Sequence, residues 1–443
     1  MADLTTNFAG IRSPNPFWLA SGPPSNCGEQ VMRAFDAGWG GAVWKTIGEP
    51  IVNVSSRYSS VDWNGQRMMG LNNIELITDR PIDVNLREIT EVKKRYPKHA
   101  VIASLMVESK RDAWHDIVKR SEDAGADGLE LNFGCPHGMS ERGMGAAVGQ
   151  VPDYACMITE WVKEVARTPV LVKLTPNVTD IRAVARAARR GGADALSAIN
   201  TINSITGIDL DTLTPRPNVG GLSAHGGYCG PAVKPIALHL VQQIASDPES
   251  ALPVSGIGGI SSWREAAEFI LLGCGSLQVC TAVMHYGFRV VEDMIDGLSQ
   301  WMDQKGFRTL DDFRGLSLPK VTEWKHLDLN YKLVARIDRS KCIGCDLCYI
   351  ACWDGAHQCI HLDGRAIPAS LEAASRARIA VTPNAKLDAA QGGGAAQVRI
   401  PRVDEEECVG CNLCWLVCPV ENCITMAPVE TGKGKESWEM RTS

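Results

Sequence analysis

Glu130-Leu131-Asn132-Phe133-Gly134-Cys135-Pro136-His137-Gly138 changes character halfway along its length. Asp127 to Leu131 reads as a buried strand, following a helix-like run from Asp112 to Ala124 and its stop at Gly125. The Gly, Pro and Gly that follow break regular structure, so the stretch is a strand end turning into a loop. Asn132 can both donate and accept hydrogen bonds. Three residues on, Cys135 is a weak acid with an unperturbed pKa of about 8.5. An amide reader beside a thiol at a strand's end suits an enzyme that holds a polar ring and hands it a proton. A free cysteine in isolation is more often a small buried hydrophobe, so the rest of the chain has to decide between the two.

From about Phe17 to Gly306, short apolar strands alternate with amphipathic helices. Phe17 to Ser21 reads as the first strand, and Gly41 to Lys45 as the second, after a helix that stops near Gly38. Ala100 to Met106, Gly128 to Asn132 and Pro169 to Lys173 follow as the third to fifth. Ala195 to Asn200, Pro253 to Ser255 and Ser276 to Cys280 complete the series, with helical patterns such as Ile181 to Arg190 and Trp263 to Leu272 between them. This alternation over roughly 250 to 300 residues fits a parallel (β/α)8 TIM barrel. A doubly wound open sheet shares the pattern and is the competing fold. Asn53 to Asp79 is longer than a usual connection, polar and aromatic, and reads as an active-site loop.

Ser21, Lys45, Asn132, Lys173 and Asn200 all fall at or just past a strand's C-terminal end, the face that carries chemistry in such a barrel. A strand-end Lys is commonly solvated and a strand-end Asn commonly starts a turn, but five such residues from different strands point to a shared site. Gly256-Ile257-Gly258-Gly259-Ile260 follows the seventh strand and Cys280-Thr281 the eighth, where backbone N–H groups cradle phosphate in many barrels. Gly226-Gly227 and Gly230 let backbone approach the same ligand. Lys173 suits the stabilisation of negative charge on a reduced flavin ring. The alternative for Lys173 is a salt bridge to a neighbouring carboxylate.

The chain's 443 residues allow two or three domains and a large core, and a net charge of -6 gives no reason to expect nucleic acid or an anionic membrane as partner. No apolar run is long enough to span a bilayer, and no secretory signal is evident at the N-terminus. The 16 cysteines are not spread like a disulfide framework; most cluster after Lys341, which suggests a reducing, cytoplasmic setting.

Those cysteines define a second domain. Cys342, Cys345, Cys348 and Cys352 have the spacing C-x2-C-x2-C-x3-C, and Cys408, Cys411, Cys414 and Cys418 repeat it, with Pro419 following. This is the signature of a ferredoxin-like domain with two [4Fe-4S] clusters. Each loop presents three thiolates to one cluster while the fourth reaches the other. Cys342, Cys345, Cys348 and Cys418 are therefore assigned to the first cluster, and Cys408, Cys411, Cys414 and Cys352 to the second. A zinc site fits two complete copies poorly. Trp353 stands where the first run would normally have Pro, which puts the local turn in doubt. Cys359 and Cys423 lie outside the spacing and read as packed thiols. The boundaries expected are a barrel over 1–310, a linker over 311–330 and a cluster domain over 331–443, with an Ala- and Gly-rich insertion near 365–399.

Two iron–sulfur clusters beside a phosphate-binding barrel imply one-electron supply to a two-electron centre, the conversion that flavin performs. The barrel is expected to hold flavin mononucleotide (FMN), its phosphate on Gly258-Gly259 and Cys280-Thr281 and its ring near Lys45, Lys173, Asn132 and Cys135.

Asn73-Ile74-Glu75-Leu76, Asn132 to Gly138, Lys173-Leu174-Thr175-Pro176-Asn177-Val178-Thr179-Asp180 and Asn200-Thr201 resemble the dihydropyrimidine dehydrogenase family over nearly the whole chain. The chain looks like the catalytic subunit of the bacterial two-subunit, NAD-dependent form, since the further N-terminal domains of the eukaryotic enzyme are absent. The resemblance implies that Asn73, Asn132, Asn200 and Thr201 hold the pyrimidine's carbonyls and N–H groups. It also implies that Glu75 belongs to the same loop, that Cys135 is the general acid, and that Ala20, Ser21, Lys45, Thr46, Lys173, Gly230, Gly258, Gly259, Cys280 and Thr281 contact flavin. Gly134, at the substrate's edge, departs from the Ser of the eukaryotic member, which implies one polar contact fewer.

The expected chemistry is reduction of uracil or thymine to the 5,6-dihydropyrimidine, with Cys135 protonating C5. Electrons would come from NADH through a partner flavoprotein subunit carrying FAD, then through the clusters to FMN. Two alternatives stand beside it. A dihydroorotate-type flavin dehydrogenase would need a cationic partner for the substrate carboxylate, whereas the asparagine set is neutral. A non-catalytic electron-transfer subunit would have no use for Cys135 and Lys173.

Overall fold

The structure is a computed structural model, described over residues 2–49, 52–366 and 397–442. It divides into two compact units, Met1–Val321 and Thr322–Ser443. In the first, eight strands form a closed parallel barrel and pair in sequence order around the ring. They are β1 (Phe17–Leu19), β2 (Gly41–Val43), β3 (Ala100–Leu105), β4 (Gly128–Asn132), β5 (Val170–Lys173), β6 (Ala195–Ala198), β7 (Val254–Ile257) and β8 (Cys274–Val279). The expected fold is the one found, and the open sheet is excluded by the pairing of β8 with β1. Every residue of these strands is buried, which is why they read as continuous apolar runs rather than alternating ones.

The helices owe their ends to short-range chemistry. The helix Ile181–Arg190 starts where Asp180 accepts from the Arg182 backbone N–H at 3.0 Å. The helix Trp263–Leu271 starts at Ser262, whose backbone N–H donates to Glu265 at 2.7 Å in a reciprocal cap. The helix Gly28–Ala37 stops at Gly38, as its position predicts, in the left-handed conformation open to glycine.

The barrel interior is layered. At its N-terminal end, Phe8 and Ile11 of an antiparallel ribbon (Thr6–Phe8 with Ile11–Ser13) pack on Trp18, Val43, Ala100, Ile102, Leu171 and Ala195. Above this apolar plug lies a polar belt. Gln278 Nε2 donates to Glu130 at 2.9 Å and to Ser197 at 3.2 Å, and Ser276 donates to Ser255 at 2.8 Å. The C-terminal mouth is roofed by an antiparallel sheet with the order Ile202–Ser204, Gly226–Cys229, Gln66–Asn73, Tyr58–Trp63. The roof joins the long loop after β2 to the long loop after β6.

The second unit repeats itself. The loops Gly344-Cys345-Asp346 and Gly410-Cys411-Asn412 share the same backbone, with positive φ at Gly344 (66°), Asp346 (58°), Gly410 (69°) and Asn412 (68°). A helix follows each loop, Leu347–Gly355 and Leu413–Leu416. The first helix runs on through Trp353, while the second ends before Pro419. Trp353 has a backbone N–H that can continue the helix; proline has none. Lys332–Ile337 pairs with Ile424–Val429, and Ile360–Ala366 with Gln397–Val403. Of the expected insertion, residues 367–396 lie outside the described residues. No helix among the described residues is long and apolar enough to cross a membrane.

Candidate active site

The strand ends and the roof enclose a cavity of about 1260 Å³, counting space open to solvent at its mouth. Ala20, Ser21, Lys45, Thr46, Asn73, Glu75, Asn132, Cys135, Lys173, Asn200, Thr201, Gly230, Gly258, Gly259, Cys280 and Thr281 all line it. Each sits there because a strand ends just before it or because the roof folds over the opening. Gly134 is the one expected site residue that is not part of the lining.

The amides form a chain. Asn200 Nδ2 donates to Asn132 Oδ1 at 2.9 Å, Asn132 Nδ2 donates to Thr46 Oγ1 at 2.8 Å, and Ser21 and Thr46 hydroxyls lie 3.0 Å apart. The Thr201 backbone N–H donates to Asn200 Oδ1 at 2.8 Å, and Asn73 Nδ2 donates to the Gly227 carbonyl at 3.1 Å. A carboxamide offers two donors and two acceptor lone pairs, so Asn73, Asn132 and Asn200 each keep hydrogen-bonding capacity for a ligand while their orientation is fixed.

Gly134 acts from behind. A Cβ there would fall on the Asn200 carboxamide. Gly134 therefore makes room for Asn200 rather than withholding a contact of its own. Gly134→Ala should displace Asn200 and cost it the bond to Asn132. A loss of about 1 to 1.5 kcal/mol corresponds to a roughly five- to tenfold rise in KM for a pyrimidine. Steady-state kinetics and flavin content check this, with flavin content expected unchanged.

Both lysines face carboxylates. Lys45 Nζ donates to Glu75 at 2.5 Å, and Glu75 also accepts from Arg57 at 3.2 Å and from Tyr58 at 2.6 Å. Burial and this bond to Glu75 push the Tyr58 hydroxyl pKa upward. Lys173 Nζ lies 3.5 Å from Glu130, a fully buried carboxylate of the polar belt. Such a charge stays in a barrel only when paired. The salt-bridge alternative for Lys173 thus describes its position, on the cavity floor and held from below.

Cys135 is buried among Ile77, Met106, Met139 and Met144, its Sγ 3.5 Å from the His137 carbonyl. Burial pushes its thiol up to about 11, with a backbone hydrogen bond at His137 and the charge of Lys173 pulling the other way. The thiol is therefore protonated throughout the neutral range and is lost as an acid only as pH rises through about 11. Relative to an ordinary thiol near 9, ionisation at pH 8 falls by about 10², so alkylation of Cys135 by iodoacetamide should be slower by that factor. The rate should climb about tenfold per pH unit, which peptide mass spectrometry can follow. The Met139 to Gly149 segment packs beside this thiol and is not part of the cavity lining.

The residues fit a flavin phosphate and ring. Gly258 and Gly259 have φ of 130° and 76°, and a Cβ on them would meet Ala237 and Lys234, so the turn can be made only by glycine and leaves its backbone bare. Gln278 lines the cavity floor and its Oε1 has no hydrogen-bond partner, an acceptor suited to a ring N–H. Tyr58, Gln278, His137 and Tyr228 also line the cavity and were not singled out from sequence. In the second unit Cys342, Cys345, Cys348 and Cys418 line one hollow, while Cys352, Cys408, Cys411 and Cys414 line another. The four thiols of each such set fit an iron–sulfur cluster.

The comparisons agree with this geometry. Residues 3–302 match the dihydroorotate dehydrogenase family, and residues 380–426, which include the second cysteine run, match a 4Fe-4S dicluster domain. The chain is 45% identical to the NAD-dependent dihydropyrimidine dehydrogenase subunit PreA of Escherichia coli (strain K12), over 80% of this chain and 87% of that protein. It is 42% identical to the chloroplastic dihydropyrimidine dehydrogenase (NADP(+)) of Arabidopsis thaliana, over 76% and 82%. It is 36% identical to the catalytic subunit of dihydroorotate dehydrogenase B (NAD(+)) of Pyrococcus abyssi, over 71% and 99%. The crystal structure of DHODH from Eimeria tenella with ferulenol superposes with a TM-score of 0.60 over 71% of this chain and 88% of that one; at 20% identity it speaks for the fold alone. With a family match over most of the chain and close relatives along it, the chain belongs to the dihydroorotate dehydrogenase family and is an oxidoreductase of the dihydropyrimidine dehydrogenase kind.

Proposed function

We propose that the chain reduces the C5=C6 bond of uracil and thymine to the 5,6-dihydropyrimidines. It would be the FMN and [4Fe-4S] subunit of a hetero-oligomer whose partner flavoprotein binds FAD and NAD(H). The observation that carries this reading is the pairing at the cavity wall. Asn73, Asn132, Asn200 and Thr201 offer neutral donors and acceptors, while the two lining lysines each face a carboxylate. An uncharged pyrimidine is matched by such neutral groups, whereas orotate would bring a carboxylate to a wall where both lysines among the described lining residues already face one.

The residues divide the work. Asn73, Asn132, Asn200 and Thr201 hold the ring's carbonyls and N–H groups, and the asparagine chain fixes the ring's orientation. FMN, when bound, supplies hydride to C6, and the clusters bring it electrons singly. Ala20, Ser21, Lys45, Thr46, Gly230, Gly258, Gly259, Cys280 and Thr281 are its holding residues, and Lys173, whose Nζ is 3.5 Å from Glu130, would stabilise negative charge on the reduced ring. Cys135 gives its proton to C5, which needs the thiol within about 3 Å of that carbon or one water away. A reducing, cytoplasmic setting keeps these thiols free. The boundaries 1–310, 311–330 and 331–443 divide flavin chemistry from electron supply.

The test is an anaerobic assay of reduced holoprotein with uracil, thymine and orotate. Uracil and thymine should be reduced to their dihydro forms and orotate hardly at all. Faster reduction of orotate than of uracil would move the chain to the dihydroorotate reading.

A further inference from the structure

Each cysteine hollow in the second unit has five thiols around it. Cys359 joins Cys352, Cys408, Cys411 and Cys414, and Cys423 joins Cys342, Cys345, Cys348 and Cys418. The two extra cysteines are 4% and 2% exposed, more deeply buried than most of the thiols they accompany. They are packed thiols, as their place outside the spacing predicts, but the packing is against the other sulfurs.

Their positions are equivalent. The Cys359 carbonyl accepts from the Asp404 backbone N–H at 2.8 Å, and the Cys423 carbonyl accepts from the Asp338 N–H at 2.7 Å. Each of those aspartates stands four residues before a cysteine run, and its own carbonyl accepts from the first cysteine of that run at 3.0 Å. Cys359 and Cys423 each precede the first residue of a ribbon strand, Ile360 and Ile424, both buried. The same backbone device thus places a fifth sulfur in both hollows.

The spacing indicates what that sulfur can do. Cys359 Sγ lies 3.6 Å from Cys352 Sγ. Two sulfurs on one tetrahedral metal, with bonds of about 2.3 Å, stand about 3.8 Å apart. Cys359 and Cys352 are therefore separated as two thiols that can serve the same iron. Cys359 shares its hollow with Cys408, and Cys423 shares its own with Cys418. Each hollow thus holds a fifth thiol together with the cysteine that arrives from the other run, Cys352 or Cys418.

We propose that Cys359 and Cys423 are reserve ligands, each able to replace the neighbouring crossing cysteine on its iron. In the exchange the bond from iron to the Cys352 sulfur breaks and one to the Cys359 sulfur forms. The Cys359 thiol proton passes to the freed Cys352 thiolate, and nothing is oxidised or reduced. Cys423 stands in the same relation to Cys418. The inference rests on the two-cluster reading: unaltered holoprotein without iron would sink that reading, whereas the variants below test only the reserve.

The experiment measures iron content and the electron paramagnetic resonance of dithionite-reduced, full-length holoprotein. Cys352→Ala should keep its iron with an altered signal, and Cys352→Ala with Cys359→Ala should lose about half of it. Cys359→Ala alone should keep all of it. Cys418→Ala and Cys423→Ala repeat the trial in the other hollow and decide the matter if one single variant fails to fold. Loss of iron in Cys352→Ala and Cys418→Ala as complete as in the double variants would overturn the proposal.

Discussion

Cys135→Ala should lower turnover by roughly 10² to 10⁴ while flavin and iron content stay at their unaltered levels. The size of the effect follows from how His137 and the other lining thiols are engaged. The His137 ring is engaged through Nε2 with the Glu75 carbonyl at 2.8 Å, and burial holds its pKa down. The other lining thiols are committed elsewhere. Cys229 Sγ donates to the Leu71 carbonyl at 3.2 Å, and Cys280 Sγ lies 3.9 Å from Met284 Sδ. Hydride addition at C6 leaves negative charge at C5 that only a placed proton removes, so water would have to enter the space the sulfur vacates. Cys135→Ser separates position from acidity: the hydroxyl stands in the same place but is a far weaker acid, and should recover little of the rate. A Cys135→Ala enzyme working near the unaltered rate at neutral pH would remove this residue from the acid's role.

Cys414→Ala should abolish one cluster, remove about half of the iron and stop NADH-driven turnover, while dithionite-reduced flavin still reduces uracil. Cys414 is buried in its hollow. Cys359 Sγ stands 3.6 Å from Cys352 Sγ, the thiol it is proposed to replace, so replacement is expected for Cys352 and not for Cys414. Survival of the half-reaction follows from the division of the chain: the barrel, its roof and every residue of the cavity wall lie within Met1–Val321. Iron analysis, stopped-flow flavin reoxidation and steady-state turnover together make the test. If the half-reaction also died, the barrel would depend on the cluster for its own structure.

The barrel was legible because its strands are buried on both sides. Val170, Leu171 and Val172 form an apolar run bounded by Pro169 and Lys173 that no exposed strand would tolerate. The rim residues were legible for the same reason, since whatever follows such a run must face the mouth. Glu130 was not singled out, because one carboxylate inside an apolar strand gives no sign of which partners the ring will bring to it. Gln278 and Lys173 reach it from β8 and β5. Tyr58 and Tyr228 were missed because the roof depends on pairing between segments far apart in sequence, with Tyr228 opposite Asn72. The cysteine runs announced the clusters by spacing alone. The fifth sulfurs follow no spacing rule and emerge only once two ribbons have been laid down.

The roof carries a consequence for how binding ability arises. Gly227 pairs with Asn73 across more than a hundred and fifty intervening residues, so one side of the lid is translated before β3 and the other after β6. A nascent chain or half-barrel fragment can complete several βα units and still have nothing to clasp a nucleobase with. Competence to bind is then acquired only when the two sides of the roof pair, and ligand-dependent protection from proteolysis would serve as a timer for that pairing.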